Sequence, residues 1–198
     1  MSETPTTLDE RREAPEYALL GLLRDGPRHG YRLAADFTPE GRLGIALRLK
    51  MSQMYAYLRK LERQGLLLAH DEMDDRSHRA RRVFALTPEG ARVFDAWLAA
   101  PVEATREVRL TFLLKLAFTL DDPTAALALI ARQRAATATW LAAQRAREAR
   151  LPGATPMNTT TEPLSLAHLT LRQRILLSEA TLAWLDESEA SLRSLHLQ

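Results

Sequence analysis

The chain has 198 residues, with 27 Lys and Arg against 25 Asp and Glu, so its formal net charge is only +2. Hydrophobic residues make up 46% and charged residues 26%, enough to bury a core, which excludes wholesale disorder. Cysteine is absent, which excludes disulfide scaffolds, thiolate zinc sites, iron–sulfur clusters and cysteine nucleophiles. No run approaches the roughly 20 apolar residues of a bilayer span. The first 16 residues are polar and acidic, unlike a secretory signal. The expectation is a cytoplasmic protein with no membrane partner. Any affinity for nucleic acid has to come from a local patch of charge.

Residues 1–14 read as a flexible tail. Pro15 suits the first turn of a helix, where its missing N–H is not needed. The run Tyr17 to Leu23 is nearly all apolar, and Gly26-Pro27 ends it. A second helix fits His29 to Phe37. From Leu43 to Lys50 apolar and other residues alternate, a period of two that favours a short extended segment, with a helical turn as the alternative. Ser52 is a good N-cap for a third helix. There Met54, Leu58 and Leu61 form one apolar stripe, and Gly65 ends the helix.

Leu66 to His70 and Arg82 to Leu86 then predict two strands around a polar tip at Asp71 to Ser77. The His70, Asp71, Glu72, Asp74, Asp75 and His78 cluster at that tip lacks the ordered spacing and glycine of a calcium loop, so no metal is expected. Thr87-Pro88 opens a fourth helix with Val93, Phe94, Trp97 and Leu98 on its apolar face. The remainder predicts helices at Arg106 to Leu120, Thr124 to Arg150 and Leu164 to about Leu197. A proline-bearing loop at 151–163 separates the last two.

Three helices followed by a two-stranded hairpin is the order of a winged helix-turn-helix, with the third helix as groove reader. The charge agrees. Between Arg42 and Arg63 stand six positive residues and one negative, Glu62. With Met54, Leu58 and Leu61 turned to the core, Gln53, Ala56, Tyr57 and Lys60 are placed on the outward face, flanked by Tyr55 and Arg59. Gln53 has the amide that reads adenine in bidentate fashion. Ser52 and the helix N-terminus suit a phosphate. Lys50, Ser52, Tyr55, Arg59, Arg76 and Arg79 are the candidate phosphate contacts, and Gln53, Tyr57 and Lys60 the groove-facing set.

The chain resembles the PadR family of transcriptional regulators. The resemblance is carried by Ala18-Leu19-Leu20-Gly21-Leu22-Leu23, by Gly26-Pro27-Arg28-His29-Gly30-Tyr31 and by Tyr55 through Leu66. It continues in Arg81 through Gly90 and in Trp97-Leu98. Two departures stand out: Phe84, where members usually carry tyrosine, and the acidic residues of the wing. The resemblance implies a mainly α protein. Residues 15–100 would form a winged helix-turn-helix DNA-binding domain, and residues 101–198 an all-helical dimerisation domain. It implies a homodimeric repressor on double-stranded promoter DNA, released by a small, often aromatic effector. Phe94 and Trp97 are the candidate effector pocket, and Leu169, Leu176, Ala180 and Ala183 a candidate dimer seam. No cofactor is implied. A helical adaptor that uses a winged helix for protein contact is the alternative. An enzyme is not expected, because the chain shows no phosphate-cradling glycine loop, zincin motif or nucleophile arrangement.

Overall fold

The computed structural model describes residues 12–73, 80–102, 104–150 and 166–195. The expected tail up to residue 11, the wing tip with Arg76 and Arg79, and the 151–163 loop lie outside the described residues. The chain divides into two compact units, Met1–Trp97 and Leu98–Gln198.

The first unit contains α1 (Ala14–Leu22), β1 (Arg28–His29), α2 (Gly30–Ala35), α3 (Met51–Arg63), β2 (Leu67–Met73) and β3 (Ala80–Leu86). It also holds most of α4 (Pro88–Ala99). The three strands form one antiparallel sheet in the order β1-β3-β2. Phe84 at its centre pairs with Ala69 on one side and Arg28 on the other. This is a winged helix-turn-helix, with β2 and β3 as the wing.

The predicted stripe forms: Met54, Leu58 and Leu61 are all buried, in one core with Leu19, Leu20, Leu22 and Leu33. Burying such a side chain contributes about 1.5–3 kcal/mol, against about 1 kcal/mol for a good cap. The stripe therefore fixes which face of α3 points inward. The cap itself differs from expectation. Lys50 stands at the N-cap, and Ser52 lies inside the first turn. Gln53 Oε1 accepts from the Lys50 backbone N–H at 3.2 Å, so a glutamine three residues on satisfies the helix entrance in place of a serine. At the other end Gly65 has φ +71, the left-handed conformation that glycine adopts without penalty. Thr87 caps α4 as expected: its Oγ1 accepts from the Gly90 N–H at 3.0 Å and donates to the Gly65 carbonyl at 2.9 Å.

Two further expectations are corrected. Leu43 to Lys50 is not a strand. Residues 42–46 form turns, closed by Ala46 N–H and Leu47 N–H donating to the Leu43 carbonyl at 3.0 and 2.8 Å. Gly44 packs directly on the Thr38 carbonyl, where any Cβ would collide with backbone. The chain doubles back there, which buries Leu43 and leaves Ile45 96% exposed. The helix expected from His29 begins only at Gly30, because Arg28 and His29 pair with β3 as a short strand.

The second unit is helical. Val102 leads to α5 (Thr105–Glu107), a π-helical stretch at Val108–Phe112, α6 (Leu113–Ala117), α7 (Pro123–Glu148) and α8 (Leu166–Leu195). The helix expected over Arg106 to Leu120 is thus broken by a wider turn. Of the apolar positions expected to recur here, Leu114 is fully buried and Leu110 and Leu113 are half-buried, while Val108, Phe112 and Leu116 enter the core with Leu129, Ile130 and Leu185. Asp122 caps α7 by accepting from the Ala125 N–H at 3.1 Å. α7 and α8 run antiparallel, tied by Arg134–Asp186 at 2.8 Å, Arg145–Glu179 at 2.7 Å and Arg172–Glu148 at 3.8 Å. Among the described residues, no helix is long and apolar enough to cross a membrane.

Candidate nucleic-acid interface

The site rests on α3, whose inward face is set by Met54, Leu58 and Leu61. The exposed positions are Met51, Ser52, Gln53, Ala56, Arg59 and Arg63. Ser52, Arg59 and Arg63 recur at i, i+7 and i+11, so they share one outward stripe beside Ala56. Lys50 precedes them and is exposed as well.

The other expected members have partners within the fold. The Tyr57 hydroxyl donates to the Glu13 carboxylate at 2.5 Å. That hydrogen bond, helped by burial, pushes the phenol up to about 12, so Tyr57 stays protonated. Lys60 Nζ lies 3.1 Å from both carboxylate oxygens of Glu16, a residue with no exposed surface. Glu16 Oε2 also accepts from the Glu13 backbone N–H at 2.9 Å, closing the first turn of α1. One flank of α3 is therefore occupied by the N-terminal end of α1.

The opposite flank meets the wing. Tyr55 packs on Phe84, ring centroids 6.4 Å apart and tilted by 56°. Glu62 accepts two hydrogen bonds from Arg82 Nη2, at 2.8 and 3.0 Å. A groove of about 280 Å³ runs between α3 and β3, lined by Tyr55, Arg59, Glu62, Arg63, Arg82 and Phe84. Gly30 sits against the Tyr55 ring, its absent side chain leaving that ring its place. Behind the groove, Arg28 reaches Asp25 and Asp36 at 3.4 Å each.

The predicted residues are thus sorted rather than gathered. Lys50, Ser52, Gln53 and Arg59 lie on the exposed side of α3, and Tyr55 lines the groove. Tyr57 and Lys60 face α1. Gln53 is exposed, but its acceptor oxygen serves as the cap on Lys50. A bidentate grip on adenine uses the same oxygen, whose two lone pairs would then serve the cap and the base together. Sequence reasoning counted Arg63 and Arg82 among the cations of α3 and the wing without assigning them to a groove, and it missed Glu13 and Glu16 as the partners of α3. The i, i+7, i+11 spacing of Ser52, Arg59 and Arg63 was the available signal for Arg63. The Glu16–Lys60 pairing spans 44 residues and left no local one.

Phe94 is buried, and Trp97 stacks face to face on Tyr17 with centroids 4.6 Å apart and planes 6° from parallel. Phe94 meets Trp97 at 5.6 Å, so the two belong to a three-ring cluster inside the first unit. In the second unit a cavity of about 370 Å³ is lined by apolar residues including Leu116, Ile130 and Trp184, with Glu187 and Ser188 on its polar side.

The three-helix core, wing and outward-facing cationic stripe define a winged-helix protein with one exposed candidate reading helix. Residues 19–96 match the transcriptional regulator PadR-like family, and residues 108–193 match the virulence activator alpha C-terminal family. The chain is 31% identical over 103 residues to the negative transcriptional regulator PadR of Bacillus subtilis (strain 168), a match covering 52% of this chain and 55% of that relative. The matched part is thus about half of the relative's length. Bacillus subtilis PadR in complex with operator DNA is similar at 24% identity over 88% of this chain and 97% of that one, with a TM-score of 0.43. The same protein in complex with p-coumaric acid is similar at 23% identity over 97% of this chain and 99% of that one, with a TM-score of 0.39.

Proposed function

We propose that this chain is a sequence-specific DNA-binding regulator that acts as a homodimeric repressor on double-stranded promoter DNA. The observation that carries the reading is the exposed stripe of α3, where Ser52, Arg59 and Arg63 stand outward on a protein of net charge +2. A concentrated cationic face on a near-neutral protein is what phosphate contact requires. The name of the Bacillus subtilis relative, a negative transcriptional regulator, supports repression. On this reading Lys50, Ser52, Gln53, Tyr55 and Arg59 contact DNA from α3, and Arg76 and Arg79 do so from the wing. Tyr57 and Lys60, engaged with Glu13 and Glu16, stand apart.

Dimerisation through the second unit is part of the proposal. On α8, Leu169 and Leu176 are each about half exposed, and Ala180 and Ala183 continue the same stripe. An apolar stripe of this length suits a second copy. Two reading helices about 34 Å apart enter successive major grooves. An effector that changes the spacing removes the affinity of the second half-site. A small aromatic effector completes the reading; with Phe94 buried and Trp97 stacked on Tyr17, a planar ligand at these rings has to displace Tyr17 or use the other face of Trp97. The protein works in the cytoplasm, where promoter DNA is.

The test is fluorescence anisotropy of the full chain on the DNA upstream of its own gene against a scrambled duplex, at two salt concentrations. Tighter, salt-weakened binding to the upstream fragment is the expected result. No binding to either duplex would reject the proposal and bring the protein-contact reading forward.

A further inference from the structure

Resting on the DNA-binding reading, we infer that the phosphate seat of this protein is the groove between α3 and β3, built on Arg59 and Arg63, and that Lys60 is a positioning residue which never reaches the DNA.

The argument is one of charge and direction. Four cations stand on or beside the C-terminal half of α3: Arg59, Lys60, Arg63 and Arg82. Two of them are matched. Lys60 lies 3.1 Å from both oxygens of the fully buried Glu16, and its own side chain is only a third exposed. Arg82 holds Glu62 through two hydrogen bonds. Arg59 and Arg63 are exposed and form no ion pair among the described residues. Only their charges are free to displace counterions from a duplex.

Geometry adds to charge. Arg59 and Arg63 are one helical turn apart, so their guanidinium groups reach the same groove wall. Tyr55 and Phe84 form its floor, and the Arg82–Glu62 pair closes its far side. A guanidinium pair above an apolar floor suits a phosphate with its sugar, the arginines on the oxygens and the floor under the deoxyribose. Swinging Lys60 outward instead would strand the Glu16 carboxylate in a core position, an unfavourable exchange for one phosphate contact. Lys60 therefore acts through Glu16: the tie sets how α3 sits on α1, and with it the direction in which Arg59 and Arg63 point.

The test measures the dependence of affinity on salt for the full chain, using a labelled duplex of random sequence as probe. Each phosphate contact contributes about one unit to the slope of log affinity against log salt. Arg59→Gln and Arg63→Gln are expected to lower the slope by about one unit each. Lys60→Met is expected to weaken binding with the slope unchanged, and Lys60→Arg to behave as wild type. A slope that falls by about one unit in Lys60→Met, or that is unmoved in both arginine variants, would overturn the inference. Denaturant unfolding of Glu16→Leu, Lys60→Met and the double variant tests the tie without DNA. A double variant more stable than the summed single losses predict supports it, and strict additivity rejects it. A wild-type chain with no salt-dependent affinity rejects the phosphate seat together with the DNA reading, while the tie between Glu16 and Lys60 still stands or falls on the unfolding experiment.

Discussion

The two units bury charge in opposite ways. In the first, Glu16 is buried against Lys60, so a carboxylate in the core faces an ammonium 3.1 Å away. In the second, Lys115 is buried with its Nζ donating to the Ala100 carbonyl. Burial pulls the Lys115 ammonium down to about 8, Arg132 adds to the fall, and Glu107 opposes it. The second unit also buries Gln133, whose Oε1 accepts from the Val102 N–H at 2.9 Å, together with Thr137 and Ser178. The lesson is that an oppositely charged partner holds a buried charge in place, whereas burial by itself disfavours it. One unit uses such a pair to hold α3, and the other carries a lysine whose charge burial disfavours.

That contrast is sharpened by variants that separate packing from charge. The largest effect is expected from Phe112→Ala. Phe112 is fully buried in the core of the second unit, and its ring meets Trp184 edge-on at 5.9 Å. A loss of about 3–5 kcal/mol is expected on denaturant unfolding. A loss below about 1 kcal/mol would contradict the burial of Phe112 in this core.

Charge comes next, with opposite signs in the two units. Lys60→Met strands Glu16 and should destabilise by about 2 kcal/mol, discounted from the cost of breaking a fully buried pair because Lys60 is partly exposed. Lys115→Met should stabilise at pH 7. The lysine's fall from 10.5 to about 8 corresponds to about 3 kcal/mol, less about 1 kcal/mol for the lost hydrogen bond. The sign fixes the pH dependence. Below about 8 the lysine is charged in both states, and the folded state bears the full penalty. Between about 8 and 10.5 the unfolded chain binds more protons, so wild-type stability rises with pH relative to the variant. The gap between the two chains should therefore close over that window in unfolding curves collected at matched salt. A gap independent of pH would place Lys115 in water.

The smallest effect concerns the joint between the wing and α4. Thr87→Ala removes the cap on Gly90 and the bond to the Gly65 carbonyl, a loss of about 1 kcal/mol on denaturant unfolding. Thr87→Ser should retain most of it.

What the sequence made legible follows from which interactions are local. Met54, Leu58 and Leu61 announced the buried face of α3 through their spacing, and Thr87-Pro88 announced the start of α4. The segment at 43–50 alternates like a strand and also admits a turn, and its periodicity does not decide between them. Gly44 lets the chain fold back on the Thr38 carbonyl, a contact no periodicity encodes. Arg28-His29 gave no strand signal, since pairing with β3 rather than side-chain pattern makes it one. At the candidate site the cationic cluster was visible as a group. Its division was not: whether a lysine on α3 points outward depends on Glu16, placed beside it only by the packing of α1.

The central claim is that the outward stripe of α3 is the DNA-contacting face. The most direct measurement is the affinity of the full-length Arg59→Glu chain for the DNA upstream of its own gene, beside wild type at the same salt. Arg59 is exposed and unpaired among the described residues, so the fold should survive, which the unfolding midpoint checks. The account predicts an intact fold with binding lost. Wild-type affinity in a folded Arg59→Glu chain would contradict it.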